Sequence, residues 1–239
     1  MINKNETTFI FTNERKIDMP KVTEEYIANK KKKIVDAAYE LCLEKTVSTV
    51  TMQDIINRTG LSQGGIYRFY KDIDEIFADM LADMRARVTI KEQVDEILAQ
   101  EDTMTAAEVT YRIFDMLADH MEAELMGIQK VDFEMSVLAM NAPHRVEKIL
   151  KGAGGVGNKE YLMRRTAEFY QKKLAVGQLH AKVSSEELIT YISSAYTGIQ
   201  TCAIVYHCYN KNPIAQMYDV RQQHRVLAKT VNYLLGAEE

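Results

Sequence analysis

The chain has 239 residues, 46% hydrophobic and 27% charged, a balance typical of a soluble globular protein with one substantial core or two small ones. Only three prolines and 11 glycines interrupt it, which favours an all-α fold, because helices need long unbroken segments. The net charge of −4 argues against a uniformly basic surface, yet residues 27–71 carry eight Lys or Arg against four acids, and residues 92–239 carry 15 against 20.

Cys42, Cys202 and Cys208 form neither an even framework nor a C-x-x-C pair, as expected in a reducing compartment. The N-terminus lacks a continuous apolar leader, and no segment is expected to reach the apolar length that spans a bilayer. The chain therefore reads as cytoplasmic.

Residues 1–26 are polar and are expected to be largely disordered. From Glu24 or Asn29 a helix should run to about Lys45, since Ile34, Ala37, Ala38, Leu41 and Cys42 recur at helical spacing. Lys30–Lys33 lie at its start, where they oppose the helix dipole; a solvated charged end and contact with a phosphate are both open.

The stretch Thr51–Tyr70 has the pattern of a helix-turn-helix. Thr51 and Asp54 have capping-box spacing, Gly60 suits a positive φ just past a helix end, and Ser62 can cap a second helix. That helix, drawn from Gln63 to Tyr70, would turn Ile66 and Phe69 or Tyr70 inward and Gln63, Tyr67 and Arg68 outward. Two short helices around a glycine turn also occur in proteins that touch no nucleic acid, so the spacing alone leaves DNA binding and plain packing open. Beyond it, Asp72 and Glu75 repeat the box spacing. The periodicity of Ile73, Ile76, Phe77, Met80, Leu81, Met84 and Val88 predicts one long connecting helix to roughly Ala99.

The run from Ile34 to Leu81 resembles the DNA-binding domain of the TetR family of transcriptional repressors. The resemblance rests on Ile34, Ala37 and Ala38, on Thr51, Asp54 and Ile55, on Gly60–Ser62, and on Gly64, Ile66 and Tyr67, all in register. It implies that Thr51 caps the second helix and touches a phosphate, and that Tyr67 contacts the DNA backbone. It also implies that Ser62, Gln63, Gly64 and Gly65 form the N-terminal turn of the recognition helix. Gln53, Arg68 and Lys71 complete the candidate DNA-binding set. Four positions depart from the family pattern: Thr46 stands for Gly, Ile56 for Ala, Phe69-Tyr70 for His-Phe, and Ile73 for Lys.

After residue 92 no comparable signature occurs. Helices are expected at about 105–121, 123–141, 143–151, 158–178, 185–210 and 214–235. Gly152, Gly154 and Gly157 match G-x-G-x-x-G but follow a helical segment rather than a strand, so an interhelical loop is expected, not a dinucleotide site. No His has a Glu three residues before it, as a di-iron bundle would need. Asp115, Asp119 and His120 read more readily as a solvated helix face than as metal ligands. No catalytic residue, metal or cofactor is assigned, and the chain is expected not to be an enzyme.

The expected architecture is thus all-α: a disordered extension (1–26), a three-helix DNA-binding head (27–90), and a larger helical bundle (91–239) for effector binding and dimerisation. Tyr111, Phe114, Met135 and Tyr170 are candidate pocket residues. The small-residue face of Tyr191, Ser194, Gly198 and Thr201, with Val226 and Leu234, is the candidate dimer interface. The family resemblance implies a repressor that binds a palindromic double-stranded DNA operator as a homodimer, released by a small-molecule effector, with no membrane partner. A helical protein–protein interaction module without DNA binding is the alternative.

Overall fold

The computed structural model describes residues 23–209 and 218–237. These form eleven α-helices joined by 3-10 and π-helical turns, with no strand among the described residues. The first, α1 (Glu24–Glu44), is capped by the Thr23 hydroxyl, which accepts from the Tyr26 amide at 3.2 Å. Residues 23–26, expected in a disordered tail, are therefore the cap and first turn of this helix; residues 1–22 lie outside the described residues. Its buried face is Ile34, Val35, Ala37, Ala38, Leu41 and Cys42.

A 3-10 turn, Val47–Thr49, leads to α2 (Met52–Thr59) and α3 (Gln63–Tyr67). The recognition helix is shorter than its sequence pattern suggests. Two glycines in five residues weaken it, and the chain then turns to bury Tyr70.

The expected connecting rod is two helices, α4 (Ile73–Arg87) and α5 (Lys91–Leu98). Val88, Thr89 and Ile90 are consecutive β-branched residues with restricted side-chain rotamers, poor helix formers. Asn158 provides other partners for their backbone: its Nδ2 donates to the Val88 carbonyl at 2.9 Å and its Oδ1 accepts from the Ile90 amide at 3.4 Å. At the other end of α4, Asp72 caps the helix by accepting from the Glu75 amide. The Glu75 carboxylate reaches back to the Lys71 amide rather than to that of Asp72, so the expected reciprocal box is offset by one residue.

The remaining helices are α6 (Ala106–Ala123), α7 (Lys130–Asn141), α8 (Pro143–Ala153), α9 (Asn158–Ala175), α10 (Ser185–Ile204) and α11 (Val220–Leu235). The single helix expected over 123–141 is interrupted by a π-helical turn, Leu125–Gln129, with non-helical backbone at Gly127. A Cβ on Gly127 would lie 2.9 Å from the Tyr39 hydroxyl, so glycine lets α1 approach closely. Helix α9 stops at Ala175, with Gly177 at φ 72° just beyond. Asp219 caps α11, whose expected start at 214 falls outside the described residues.

A second π-helical turn, Val205–Tyr209, extends α10. Ser185–Tyr209 holds an 18-residue window of mean hydropathy 1.2 and by length and composition could cross a membrane, contrary to the sequence expectation. Its Ser, Thr and Gln content obscures how few charges it has, with none between Leu188 and Tyr209. Leu188, Ile199, Ala203 and Ile204 on this segment are buried inside the protein.

Two apolar clusters make up the core. One joins Ile34, Ile55, Ile66 and Phe77 of the head to Val131, Met135 and Ile149 of α7 and α8. The other joins α5, α6, α9, α10 and α11. The packing of the head therefore extends past residue 90 to helices much later in the chain.

The join also contains a buried ion pair. Lys130 Nζ donates to Glu134 Oε1 at 2.9 Å and to the Cys42 carbonyl at 2.7 Å, one of the unpaired carbonyls in the last turn of α1. Glu134 Oε2 accepts from the Val47 amide at 2.5 Å, and the Tyr209 hydroxyl donates to the other carboxylate oxygen. With side chains only 5% and 6% exposed, neither charge has water to fall back on. Lys130→Met should therefore lower the urea-denaturation free energy by about 3–5 kcal/mol. The Lys130→Met/Glu134→Leu double variant should recover part of that loss, and single-variant losses under about 1 kcal/mol would mean the pair is solvent-screened.

Candidate nucleic-acid interface and ligand cavity

The head is built on local hydrogen bonds. Thr51 and Asp54 form a reciprocal capping box: the Asp54 amide donates to Thr51 Oγ1 at 3.2 Å, and the Thr51 amide donates to Asp54 Oδ2 at 2.8 Å. Lys45 lies 2.6 Å from the same carboxylate, and this bond together with those from Thr51 pulls the Asp54 pKa down to about 2. Arg58 bridges to Glu40 and Glu44 and ties α2 to α1. Gly60 adopts φ 66° in the turn, the left-handed conformation for which glycine is suited.

The candidate DNA-contacting residues lie on this frame as follows. Thr51, Gln53, Ser62, Gln63, Gly64, Tyr67, Arg68 and Lys71 are exposed, and Gly65 is half-buried. Tyr67 is 45% exposed, high for an aromatic side chain in a packed head. The Gln53 amide donates to Asn57 at 2.9 Å. Ser62 accepts from the Gly65 amide at 3.2 Å, and a Cβ on Gly65 would sit 3.1 Å from that hydroxyl. A Cβ on Gly64 would meet nothing within 4 Å, so internal packing does not demand glycine there.

Two of the departures from the family pattern, at Tyr70 and Ile73, have structural explanations. Tyr70 is buried, and its hydroxyl donates to Asp79 Oδ2 at 2.8 Å; Lys31 reaches the same oxygen at 3.2 Å and lies 4.9 Å from the Tyr70 ring centroid. Burial and the Asp79 carboxylate push the Tyr70 phenol well above its usual range. Tyr70 thus fastens the end of the recognition segment to α1 and α4. Ile73 packs against the first core, while Lys71 is exposed. Within the Lys30–Lys33 run, Lys31 is committed to Asp79 and Lys32 to Asp36; Lys30 and Lys33 make no ion pair among the described residues.

Behind the head lies a cavity of about 530 Å3. Leu81, Met84 and Arg85 of α4, with Val88 just beyond it, form one wall, and residues of α6 to α11 form the others. Phe114, Met135 and Tyr170 line it. Tyr111 does not: it packs half-buried into the second core, on a side of α6 turned away from the Ile113, Phe114, Leu117 and His120 face. Tyr170 hydrogen-bonds Thr110 at 2.8 Å, and burial pushes both Tyr170 and Tyr196 up to about 12, so both stay neutral.

The sequence reading missed the polar lining. Gln200 donates to Gln129 at 2.7 Å, and burial lowers His120 below the usual histidine range. Asp132 faces the cavity with no hydrogen-bond donor among the described residues. Asp132 is itself exposed at the cavity, yet enough protein surrounds it that desolvation pushes it up to about 6, against a weaker opposing effect of Arg85. Asp115 and Asp119 do not join His120 in a cluster; they face α11, paired with Arg225 and Arg221.

The candidate interface residues are distributed over two helices. Tyr191, Ser194 and Gly198 are exposed on α10 and Val226 is 57% exposed on α11. Thr201 is half-buried, and Leu234 turns partly into the second core, leaving its neighbour Tyr233 at 65% exposure.

The raised Asp132 pKa sets a sign for stability. A carboxyl moved from 3.8 to about 6 by folding costs the native state progressively more as pH rises through that window. The melting temperature of Asp132→Asn relative to wild type should therefore climb between about pH 4 and about pH 6 and level off above. A pH-independent difference would place this carboxylate in bulk-like water.

Residues 34–80 match the family model described as "Bacterial regulatory proteins, tetR family". A Bacillus subtilis protein named as an uncharacterized HTH-type transcriptional regulator, YfiR, is 25% identical over 136 residues, covering 55% of this chain; the match spans only 62% of that relative. A Mesorhizobium loti protein assigned to the TetR family shares the fold with a TM-score of 0.60 at 14% identity, covering 88% of this chain and 98% of its own. Thermus thermophilus FadR, a TetR-family repressor solved in complex with lauroyl-CoA, does so with a TM-score of 0.54 at 18% identity over 87% and 96%. Residues 34–80 thus carry the helix-turn-helix of bacterial tetR-family regulatory proteins, and the helical bundle behind it shares its fold with solved TetR-family proteins.

Proposed function

We propose that this chain is a ligand-responsive repressor that binds palindromic operator DNA as a homodimer and is released when a small molecule occupies the cavity. One observation carries this: α4 is common to both sites. Asp72 caps it beneath the recognition segment and Asp79 holds Tyr70, while Leu81, Met84 and Arg85 on the same helix face the cavity. An effector that prefers a different position of this helix moves the head, and operator affinity falls by that differential preference.

The exposed side of α10 and α11 supports a dimer. Tyr191 on α10 and Val226 on α11 are exposed, and the small exposed residues Ser194 and Gly198 on α10 permit close helix approach. We read this side as a protein–protein face in a cytoplasmic protein rather than a lipid-facing one. Paired in a four-helix arrangement, it would set two recognition helices in successive major grooves, roughly 34–36 Å apart. Lauroyl-CoA in the Thermus repressor supports a small-molecule effector for a protein of this fold.

On DNA taken from upstream of its own gene, the purified protein should bind with an affinity that falls steeply with salt. Tyr67→Ala should weaken binding evenly across sequences. Gln63→Ala should cost about 1–3 kcal/mol on the preferred site and relax the base preference there. Equal loss on every sequence would remove Gln63 from base reading, and no binding at any salt would leave the chain a helical interaction module.

A further inference from the structure

The cavity is apolar over most of its wall, with one carboxylate facing into it. Asp132 has no hydrogen-bond donor and no ion-pair partner among the described residues. The nearest cationic influence, Arg85, donates from Nη1 to the Gly154 carbonyl at 2.5 Å. Asp132 is exposed to the water of the cavity, and a ligand that displaces this water leaves the ionised carboxylate in a costly place unless it brings a positive charge. A neutral apolar ligand would strip away its water without replacing it, and an anion placed against Asp132 would be repelled, although Arg85 and Lys159 also line the cavity.

We propose that the cavity takes a lipophilic monocation, such as a hydrophobic amine, amidinium or quaternary ammonium. Its charged centre lies against Asp132, and its apolar body lies along α6 and α9. This rests on the cavity being the effector site. Phe114, Tyr170 and Tyr196 line the cavity, aromatic rings of the kind whose faces attract a cation, and the two tyrosines remain uncharged, so they add no competing charge. His120 is held neutral by burial and does not oppose a cation at neutral pH.

The charged and titratable groups around Asp132 give the binding a direction with pH. Arg85 from α4 and Lys159 from α9 line the cavity, His120 faces it from α6 with Glu124 close by, and Tyr196 and Tyr39 approach from α10 and α1. Falling pH neutralises Asp132 and charges His120, and both changes weaken cation binding.

Calorimetry with tetraphenylphosphonium and tetraphenylborate, of nearly identical shape and opposite charge, tests the inference on the full chain. At about pH 7.5 the cation should bind about tenfold or more tightly than the anion, and this preference should shrink toward about pH 5. Asp132→Asn should abolish the preference while keeping the protein folded, as its melting temperature would show. The proposal fails if neither ion binds, if the anion binds as tightly, or if the Asn variant keeps the preference. An anion preference would point instead to Arg85 and Lys159. Because these heats are read without DNA, their failure leaves operator binding standing. Conversely, a bound cation that leaves operator affinity unchanged refutes the effector role while the cation site remains.

Discussion

One helical turn of α7 holds the two halves of the molecule together. Lys130 and Glu134 pair in the interior and spend their remaining hydrogen-bonding capacity on the backbone at the end of α1 and the start of the 3-10 turn. These backbone groups precede the capped helix α2, so the position of the helix-turn-helix depends on side chains almost 90 residues away. Asp132 lies midway between the pair in sequence, about 200° around the helix, and faces the cavity. The same turn of helix thus presents a charge to the cavity on one side and grips the head on the other. Because the grip is buried and directional, a rotation of α7 cannot be absorbed as a soft drift; it is transmitted or it breaks hydrogen bonds.

The head replaces some of its family's usual residues with internal fastenings. Tyr70, Asp79 and Lys31 form a small polar knot where the recognition segment meets α1 and α4. Lys31 therefore belongs to the architecture of the head, and the basic character left for a polyanion comes from neighbours such as Lys30, Lys33 and Lys71. Asp54 acts similarly, holding Lys45 and Thr51 at the start of α2.

What could be read from the chain was local. Caps at Thr51, Ser62 and Asp72 need only residues three or four apart, and the amphipathic faces of α1 and α4 need only a repeating pattern. The break after Arg87 was hidden because apolar periodicity continues through Val88, while the hydrogen bonds that end the helix come from Asn158. Cavity and core positions share one pattern as well: Phe114 and Tyr111 look equivalent in sequence, and only the packing of α9 and α11 against α6 separates them. The usable signal was the reverse of apolarity. Asp132 stands between Val131 and Phe133 on a mostly apolar helix, and a polar residue so placed either finds a partner or faces a void.

The bracket at Asn158 has a consequence for how such a molecule diverges. Its side chain holds the joint between α4 and α5, and the same residue stands on the cavity wall beside the glycine-rich loop that ends at Gly157. The loop is exposed, and two of its glycines, at 154 and 155, have open space around them but adopt positive φ, so a side chain there strains the backbone rather than the core. Substitutions there can reset the tension on the joint while leaving the DNA-facing surface and the hydrophobic core untouched. In the proposed repressor, the threshold of response and the identity of the operator would thereby lie on separate parts of the chain, free to vary independently.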